Sequence, residues 1–323
     1  MNCVERLKKE VLSGRDITKE EALELANTEH LLALLEAANE IRESFCGNEF
    51  NLCSIINVKS GRCSENCKFC AQSAHYKTGC DIYPLLKVDE VLEAAKKCDR
   101  NLVDRFSLVS STKELRKRDI TEIKELYSAL SSQTTLHLCA SFGLADEESL
   151  RELKKAGVKT YHHNLETSKG YFTNICTTHT FKDRVATIKA AKNAGLDVCS
   201  GGIFGLGESM SDRVDLAFTL KELEVSSVPI NILSPIKGTP LQDREILEED
   251  EILRTIAVFR FVLPKVYLRL AGGRKALKQK LSLALNGGIN SSITGNFLTT
   301  TGQSVKDDKI MIKKYGFRTK RDV

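Results

Sequence analysis

The sequence has no long hydrophobic run, no leading apolar segment and no block of charge of one sign. No stretch approaches the roughly 20 apolar residues of a membrane-spanning helix, which argues against a membrane protein. Charged sequence follows the opening Met1-Asn-Cys-Val-Glu-Arg, so we expect no signal peptide. The 48 basic and 43 acidic residues are mixed along the chain, so no nucleic-acid-binding surface is expected. The basic run from Lys313 to Arg321 is interpreted as a solvated tail.

Cysteine, by contrast, is plentiful, with eleven residues in a chain of 323. Without an export signal, so many cysteines predict a reducing cytoplasm and cluster or redox chemistry. Three of them, Cys63, Cys67 and Cys70, have the spacing C-x3-C-x2-C. A [4Fe–4S] cluster normally takes four cysteine ligands, so three leave one iron open. An open iron suits chelation by S-adenosylmethionine (SAM), whose reductive cleavage gives a 5′-deoxyadenosyl radical.

Two other interpretations of this cysteine run are weaker. A structural zinc site needs four ligands in a tetrahedron, and the nearest additional candidate, His75, stands alone. A disulfide framework is typical of small secreted chains, which this is not expected to be. Phe69, directly before Cys70, is a candidate for packing beside the adenine of SAM, with an ordinary apolar contact as the alternative.

The pattern of short β-branched runs alternating with amphipathic stretches predicts an α/β fold. Residues 1–45 are interpreted as a helical extension, with a capping box at Thr18-Lys-Glu-Glu21. Residues 46–323 are predicted to form one (β/α)8 TIM-type barrel domain. Helices are predicted at Val88 to Lys97, Ile120 to Leu130 and Glu147 to Ala156. The predicted strands are Leu52 to Val58, Val103 to Val109, Thr134 to Ala140, Val158 to Leu165, Leu196 to Ile203, Val228 to Leu233, Val266 to Leu270 and Gly288 to Ser291.

In such a barrel the active site lies at the carboxyl ends of the strands. The cysteine run directly follows the first predicted strand, so it falls on the catalytic face. A glycine-rich stretch, Ser200 to Glu208, follows the fifth. It lacks the Gly-Lys-Ser/Thr of a phosphate-binding loop. We interpret Gly205 and Gly207 as part of the wall of a SAM pocket, with a tight turn as the alternative.

Further motifs carry a resemblance to a known family. The cysteine run, with Gly61 before it and Ala71-Gln72-Ser73 after it, resembles the cluster loop of the biotin synthase family of radical SAM enzymes. The resemblance extends from about residue 20 to the C-terminus. The other matching stretches are Tyr76 to Gly79, His163 to Thr167, Val198 to Gly202, Gly205 to Glu208, Ser227 to Asn231, Lys237 to Leu241, Arg254 to Val258 and Leu268 to Leu270.

The resemblance implies radical-mediated sulfur insertion into dethiobiotin, which gives biotin. Each of two 5′-deoxyadenosyl radicals would remove one hydrogen from a saturated carbon, and an auxiliary iron–sulfur cluster would be sacrificed as the sulfur donor. It also implies a reducing electron donor of the flavodoxin or ferredoxin type and a homodimer.

The auxiliary cluster is where the sequence departs from the family. The family pattern of three cysteines and one arginine around a [2Fe–2S] cluster matches Cys139, Cys199 and Arg269, but the remaining cysteine position is Ser107. Serine is a poor iron ligand. Because side chains of one interior layer come from alternate strands, Cys53 on the first strand is a candidate replacement. Three thiolates would also suit a larger four-iron cluster. The alternative is that Cys53 is a small buried hydrophobe.

The resemblance also assigns polar residues to the pocket. Asn164 and Asn231 match positions near the ureido ring of dethiobiotin, where an amide offers a donor and an acceptor. Glu166 resembles an acidic residue that contacts the ribose. Arg184 resembles an arginine that meets the SAM carboxylate, with surface ion pairing as the alternative. The role of His162 is left open.

Most other histidines and cysteines are interpreted as structural. His30, His137, His163 and His179 have no partner at metal-ligand spacing in the sequence. Cys80 is a weaker auxiliary-cluster candidate, and Cys176 is interpreted first as a core residue. No chemistry is assigned to Cys3, Cys46 and Cys98.

Two rival functions remain at this level. A related radical enzyme, such as a hydrogenase maturase or methylornithine synthase, would share the fold and the first cluster. A non-catalytic iron–sulfur carrier is disfavoured, because electron carriers usually ligate every iron.

Overall fold

The computed structural model describes residues 2–295 and 304–321. A closed ring of parallel strands forms its centre. Strands β1 to β5 pair in chain order, the fifth position continues as β6, and β9 pairs back onto β1. The predicted (β/α)8 barrel is therefore confirmed. The strands are β1 (Glu49–Lys59), β2 (Arg105–Ser110), β3 (His137–Ser141), β4 (Thr160–His162), β5 (Asp197–Cys199), β6 (Gly202–Phe204), β7 (Ser227–Ile232), β8 (Tyr267–Leu270), β9 (Ser291–Thr294) and β10 (Arg318–Thr319).

Helices surround the ring and bury their apolar faces against it. The predicted Thr18 capping box is present: the Thr18 amide donates to the Glu21 carboxylate at 2.9 Å, and the Thr18 hydroxyl accepts from the Glu21 amide. The three predicted internal helices are confirmed as α4, α5 and α6. The helices are α1 (Cys3–Leu12), α2 (Lys19–Ala26), α3 (Leu31–Cys46), α4 (Val88–Arg100), α5 (Ile120–Gln133), α6 (Glu147–Lys155), α7 (Phe181–Asn193), α8 (Met210–Glu222), α9 (Glu249–Val262), α10 (Leu281–Leu285) and α11 (Val305–Lys314).

Helices α1, α2 and α3 precede the barrel and pack on its outside, with α2 against α8 and α3 against α9. The boundary between residues 1–45 and 46–323 stays a prediction, and its end points Met1 and Val323 lie outside the described residues. No helix among the residues described is long and apolar enough to cross a membrane.

Two strand predictions need correction. The predicted fifth strand is interrupted at Ser200 and Gly201 and resumes as β6. At this break the backbone runs so close to β7 that a Cβ at Gly201 would lie 2.1 Å from the Pro229 carbonyl oxygen, so only glycine fits there. The last barrel strand begins at Ser291, where the prediction ended it, because Gly288 has a positive φ of 111° and belongs to the turn before the strand.

The C-terminal basic segment is folded and is not a tail, but the predicted exposure of its basic side chains holds for Lys313, Lys314, Arg318 and Lys320. Arg318 and Thr319 form β10, which pairs in parallel with Glu49 and Phe50 at the start of β1. The Arg321 guanidinium donates to the Val103 carbonyl at 2.7 Å and pairs with Asp99 of α4, which is half-buried, at 2.8 Å. The residues of this segment that are buried against the barrel are Phe317 and Thr319.

Candidate active site inside the barrel

A cavity of about 410 Å³ lies inside the barrel. It brings together residues that are far apart in the sequence, and every predicted site residue lines it except Gly205 and Gly207. The rest of its wall combines apolar side chains with polar and charged ones, among them Arg105 and His162. The predicted residues in the lining are Cys53, Cys63, Cys67, Phe69, Cys70, Ser107, Cys139, Asn164, Glu166, Arg184, Cys199, Asn231 and Arg269.

The loop after β1 carries the first three thiols. Two backbone bonds at Cys63 close this loop: its amide donates to the Gln72 carbonyl at 2.9 Å, and its carbonyl accepts from the Ala74 amide at 2.7 Å. The Gln72 side chain accepts a bond from the Gly61 amide at 3.3 Å and so fixes the loop base. Burial raises the pKa of Cys70 to about 11. All three cysteines are free thiols aimed at one side of the cavity.

A chain of polar side chains connects this loop with the opposite wall. Glu65 contacts the His179 ring through Nδ1, and His179 Nε2 accepts a bond from Arg184 Nε at 2.9 Å. Arg184 Nη1 then donates to the Asn164 carbonyl at 2.7 Å and to Glu166 Oε1 at 3.3 Å. Arg184 is only 8% exposed, so the alternative of a surface ion pair is wrong. The cavity wall thus presents one buried guanidinium beside one carboxylate.

Asn164 and Asn231 both line the cavity. Asn164 Oδ1 accepts from the Gly201 amide at 3.1 Å, and Asn164 Nδ2 donates to Glu166 Oε2 at 3.3 Å. Asn231 is held in the same manner, accepting from the Gly272 amide at 2.9 Å and donating to the Gly202 carbonyl at 3.0 Å. Backbone bonds therefore fix both amides, and each side-chain oxygen keeps a second acceptor site.

Gly205 and Gly207 lie in the turn after β6, outside the lining of the cavity. Their amides donate to the Glu208 carboxylate at 2.9 and 3.1 Å. Glu208 in turn pairs with the buried Arg213 at 2.7 Å. This is the tight turn considered as the alternative, and a SAM contact at these glycines stays a prediction.

A second group of thiols lines the lower cavity. Cys53, Cys139 and Cys199 come from β1, β3 and β5 and are all buried. Burial raises the pKa of Cys53, and it raises that of Cys139 to about 12. Burial alone would also raise the pKa of Cys199, but the adjacent His162 and Arg269 lower it to about 6. Among the described residues, the three sulfur atoms of Cys53, Cys139 and Cys199 do not all lie within 4.8 Å of one another, so they are too far apart to bind one ion together.

Two buried cations share this part of the cavity. Arg269 is 2% exposed and donates to Asn51 Oδ1 at 2.9 Å. Arg105, which the sequence reasoning missed, is 8% exposed and has only a long bond of 3.4 Å to Thr160. Neither guanidinium pairs with a carboxylate in the described part of the chain. Because buried charges are normally paired, two unpaired cations beside three thiols point to an anionic occupant.

Ser107 and His162 complete the lower site. Ser107 lies beside Cys139 on the neighbouring strand, and its hydroxyl is buried without a hydrogen-bond partner. His162 lies beside Cys199 in the β4–β5 pairing. Burial would lower the pKa of His162, but the Cys199 thiol beside it raises it. The alternation along β2 that puts Ser107 inside the barrel also puts Arg105 there, and this signal could have found Arg105.

One statement about histidines needs correction. His179, interpreted as structural without a partner, lies with Cys67 and Cys176 in a group whose ligand atoms are within 4.8 Å of one another. Cys176 likewise contacts the cysteine loop, 3.7 Å from Cys67 Sγ. The spacing in the sequence could not show this, because Cys67 lies more than a hundred residues from its two partners.

The barrel and the C-x3-C-x2-C loop after its first strand define the class of radical SAM enzymes. The Radical SAM superfamily model matches residues 57–220, and that of the Biotin and Thiamin Synthesis associated domain matches residues 229–318. A biotin synthase of Campylobacter hominis is 59% identical over 319 residues, which cover 98% of each chain. The chain belongs to the biotin synthase family.

Other relatives agree. A biotin synthase of Clostridioides difficile is 52% identical over 97% of this chain and 98% of its own. Among solved structures, a methylornithine synthase has a TM-score of 0.85 at 20% identity, covering 98% of this chain and 97% of its own. A maturase of the [FeFe]-hydrogenase has a TM-score of 0.86 at 17% identity, covering 99% and 76%. At such identities the two structures support the shared fold alone.

Proposed function

We propose that this chain makes biotin by inserting sulfur into dethiobiotin inside the barrel cavity. The observation that carries the proposal is that one cavity contains two sets of three cysteine thiols. One set lies on the loop after β1, and the other lies on the barrel strands. Family membership supports the reaction. Hydrogen on saturated carbon is not acidic, so the reaction needs a radical rather than an acid–base pair.

The residues on the loop fit a [4Fe–4S] cluster. Cys63, Cys67 and Cys70 are free thiols on one cavity wall, so they would hold three irons and leave the fourth for SAM. When bound, the cluster and SAM supply the reductive cleavage that produces a carbon radical able to remove hydrogen. Burial of Cys67 and partial burial of the other two would keep water from the radical.

Arg184 and Glu166 would orient SAM. The buried Arg184 guanidinium suits a carboxylate, and Glu166 suits hydroxyl groups such as those of ribose. His179 and Asn164 hold Arg184 from two sides, so its guanidinium is fixed before SAM binds. Phe69 lines the same wall and would pack on the adenine.

Asn164 and Asn231 would bind the ureido ring of dethiobiotin. Each amide is fixed by a glycine backbone, which limits the loss of conformational freedom on binding. Apolar side chains such as Ile55, Val109 and Ile293 would enclose the hydrocarbon part of the substrate and exclude water.

The auxiliary cluster would be consumed as the sulfur source. Cys53, Cys139 and Cys199 are its proposed thiolate ligands, with Ser107 and Arg269 beside it. The unpaired guanidinium groups of Arg105 and Arg269 support an anionic cluster, because thiolates and sulfide would neutralise them. Three thiolates favour a four-iron cluster with one exchangeable position over a [2Fe–2S] cluster.

A single incubation tests the proposed function. The anaerobically reconstituted enzyme, with a chemical reductant, SAM and dethiobiotin, should form 5′-deoxyadenosine in a dethiobiotin-dependent manner, followed by biotin. Cys70→Ala should abolish both products, whereas the matched variant Cys98→Ala, on α4 and outside the lining of the cavity, should retain them. Cleavage of SAM at the same rate with and without dethiobiotin, and without formation of biotin, would contradict the proposal.

Three further elements stay predictions from the resemblance and from the cysteine content. These are an electron donor of the flavodoxin or ferredoxin type, a homodimer, and a cytoplasmic location. The cysteine content, eleven in 323 residues, is the basis for expecting a reducing compartment.

A further inference from the structure

We propose that Cys67, Cys176 and His179 bind one thiophilic divalent cation of the Zn²⁺ class in the chain before its clusters are assembled. The site shares one residue with the cysteine loop and takes its other two from the segment before α7. It does not depend on the proposed reaction.

The distances within this group suit a single ion. Cys67 Sγ and Cys176 Sγ are 3.7 Å apart, and Cys176 Sγ lies 3.3 Å from His179 Nδ1 and 3.9 Å from Nε2. Zinc bonds to sulfur and nitrogen imply ligand atoms about 3.5–3.8 Å apart in a tetrahedron. In residues 2–295 and 304–321, no other group of three potential ligands from histidine, cysteine and acidic residues is this compact. All three side chains are buried, and Cys67 also lines the cavity, so a solvent molecule from the cavity would be the fourth ligand of the tetrahedron.

Direct hydrogen bonds join the two segments. The Lys68 amide donates to the Ile175 carbonyl at 2.9 Å, and Asn66 bonds to Thr177 in both directions, at 2.7 and 3.0 Å. The ligands therefore meet in a preformed site, so an ion would not have to order the loops when it binds.

The hydrogen-bond partners of His179 also suit a metal ligand. Its Nδ1 contacts the Glu65 carboxylate, the usual outer partner of a metal-bound histidine. Its Nε2 accepts from Arg184 and could exchange that bond for the ion, since Arg184 keeps its bonds to Asn164 and Glu166. Two thiolates with the carboxylates of Glu65 and Glu166 carry four negative charges, which balance a divalent ion, Arg184 and Lys113.

Because Cys67 cannot serve both groups, the ion and the [4Fe–4S] cluster exclude each other. Binding replaces two thiol protons by one divalent ion, so protons are released and no electron is transferred. Zinc would therefore compete with cluster assembly, and Cys176 would be the residue that makes this chain sensitive to it.

Anaerobic titration of the cluster-free full chain with Co²⁺ tests the site. We expect one tightly bound Co²⁺ with sulfur-to-cobalt charge-transfer and tetrahedral absorption bands, displaced by Zn²⁺. Cys176→Ser should weaken binding by roughly a hundredfold or more, and His179→Gln by at least about tenfold. Zn²⁺ should slow reconstitution of the [4Fe–4S] absorption in the unaltered chain but much less in Cys176→Ser.

Matched variants separate this site from the cluster ligands. Cys63→Ser and Cys70→Ser should leave Co²⁺ binding unchanged, as should Cys80→Ser, and circular dichroism would verify that each variant folds. Binding that is lost in Cys63→Ser and Cys70→Ser but kept in Cys176→Ser would overturn the proposal, as would the absence of tight binding. Neither result would bear on biotin formation by the reconstituted enzyme.

Discussion

The Arg105 guanidinium lies over the ring of Tyr267, 5.2 Å from its centroid. The two residues come from β2 and β8, which are separated in the sheet by β1 and β9. The Tyr267 hydroxyl donates to Glu49 at 2.8 Å. A ring face attracts a cation without neutralising it. Tyr267 therefore holds Arg105 in the lower cavity while leaving its charge available to an anionic partner.

Arg105→Met should weaken the auxiliary cluster. Removing a buried cation that faces the three thiols should make cluster loss to a chelator faster by roughly 10–100-fold, the usual effect of removing an outer partner of a metal site. Iron release followed by absorbance would measure this rate. Arg105→Lys keeps the charge and should be affected less; equal release rates for both variants would show that the charge is not what matters.

Cys53→Ala should remove the auxiliary cluster and leave the other cluster in place. If Cys53 is a ligand, iron and sulfide counts after anaerobic reconstitution should fall to those of one [4Fe–4S] cluster, and SAM cleavage should persist without biotin formation. Cys98→Ala is the matched control. Unaltered auxiliary iron and sulfide in Cys53→Ala would return Cys53 to the role of a small core residue.

Asn231→Ala should weaken the binding of dethiobiotin. Losing one amide from the ureido site should raise the dissociation constant by roughly 10–100-fold, since an unpaired polar group on the ligand costs about 1–3 kcal/mol. Calorimetric titration would measure it. SAM binding should be unaffected, and Asn193→Ala, on the surface, serves as the control. Equal losses of SAM and dethiobiotin affinity would indicate a collapsed cavity instead.

His163 should make the fold less stable in mild acid. Burial, and then the nearby Arg184, hold its pKa well below 6.5, so it stays neutral in the folded chain. Below about pH 6.5 the unfolded chain binds a proton that the folded chain does not, so stability falls as pH falls.

Denaturant unfolding of the cluster-free chain from about pH 7 to about pH 5 would measure this effect. His163→Gln should flatten the slope by up to about 1.4 kcal/mol per pH unit. The exposed His30 provides the control, His30→Gln, which should leave the slope unchanged. An identical slope in His163→Gln and the unaltered chain would contradict the prediction.

The sequence was sufficient for the barrel and for the upper thiols because both depend on local patterns. Alternation of β-branched and amphipathic stretches fixes the strand order, and Cys63, Cys67 and Cys70 lie within eight residues. The same inward alternation correctly grouped Cys53 with Cys139 in one cavity.

Contacts between distant segments could not be predicted in this way. The meeting of Cys67 with Cys176 depends on how the loop before α7 folds back, which Asn66 fixes through bonds that no spacing encodes. The tail was misinterpreted for a similar reason. Its basic residues suggested solvent, but the pairing of Arg318 with Glu49 depends on an edge of β1 that only the assembled barrel defines.

The pairing of β1 with β9 and β10 also sets the order of events at the ribosome. One edge of β1 stays uncovered until those last segments have emerged, although the cysteine loop was translated long before. In the finished barrel β9 covers that edge, and Cys53, Cys139 and Cys199 are buried. Closure of the wall around the lower thiols therefore depends on the last part of the chain.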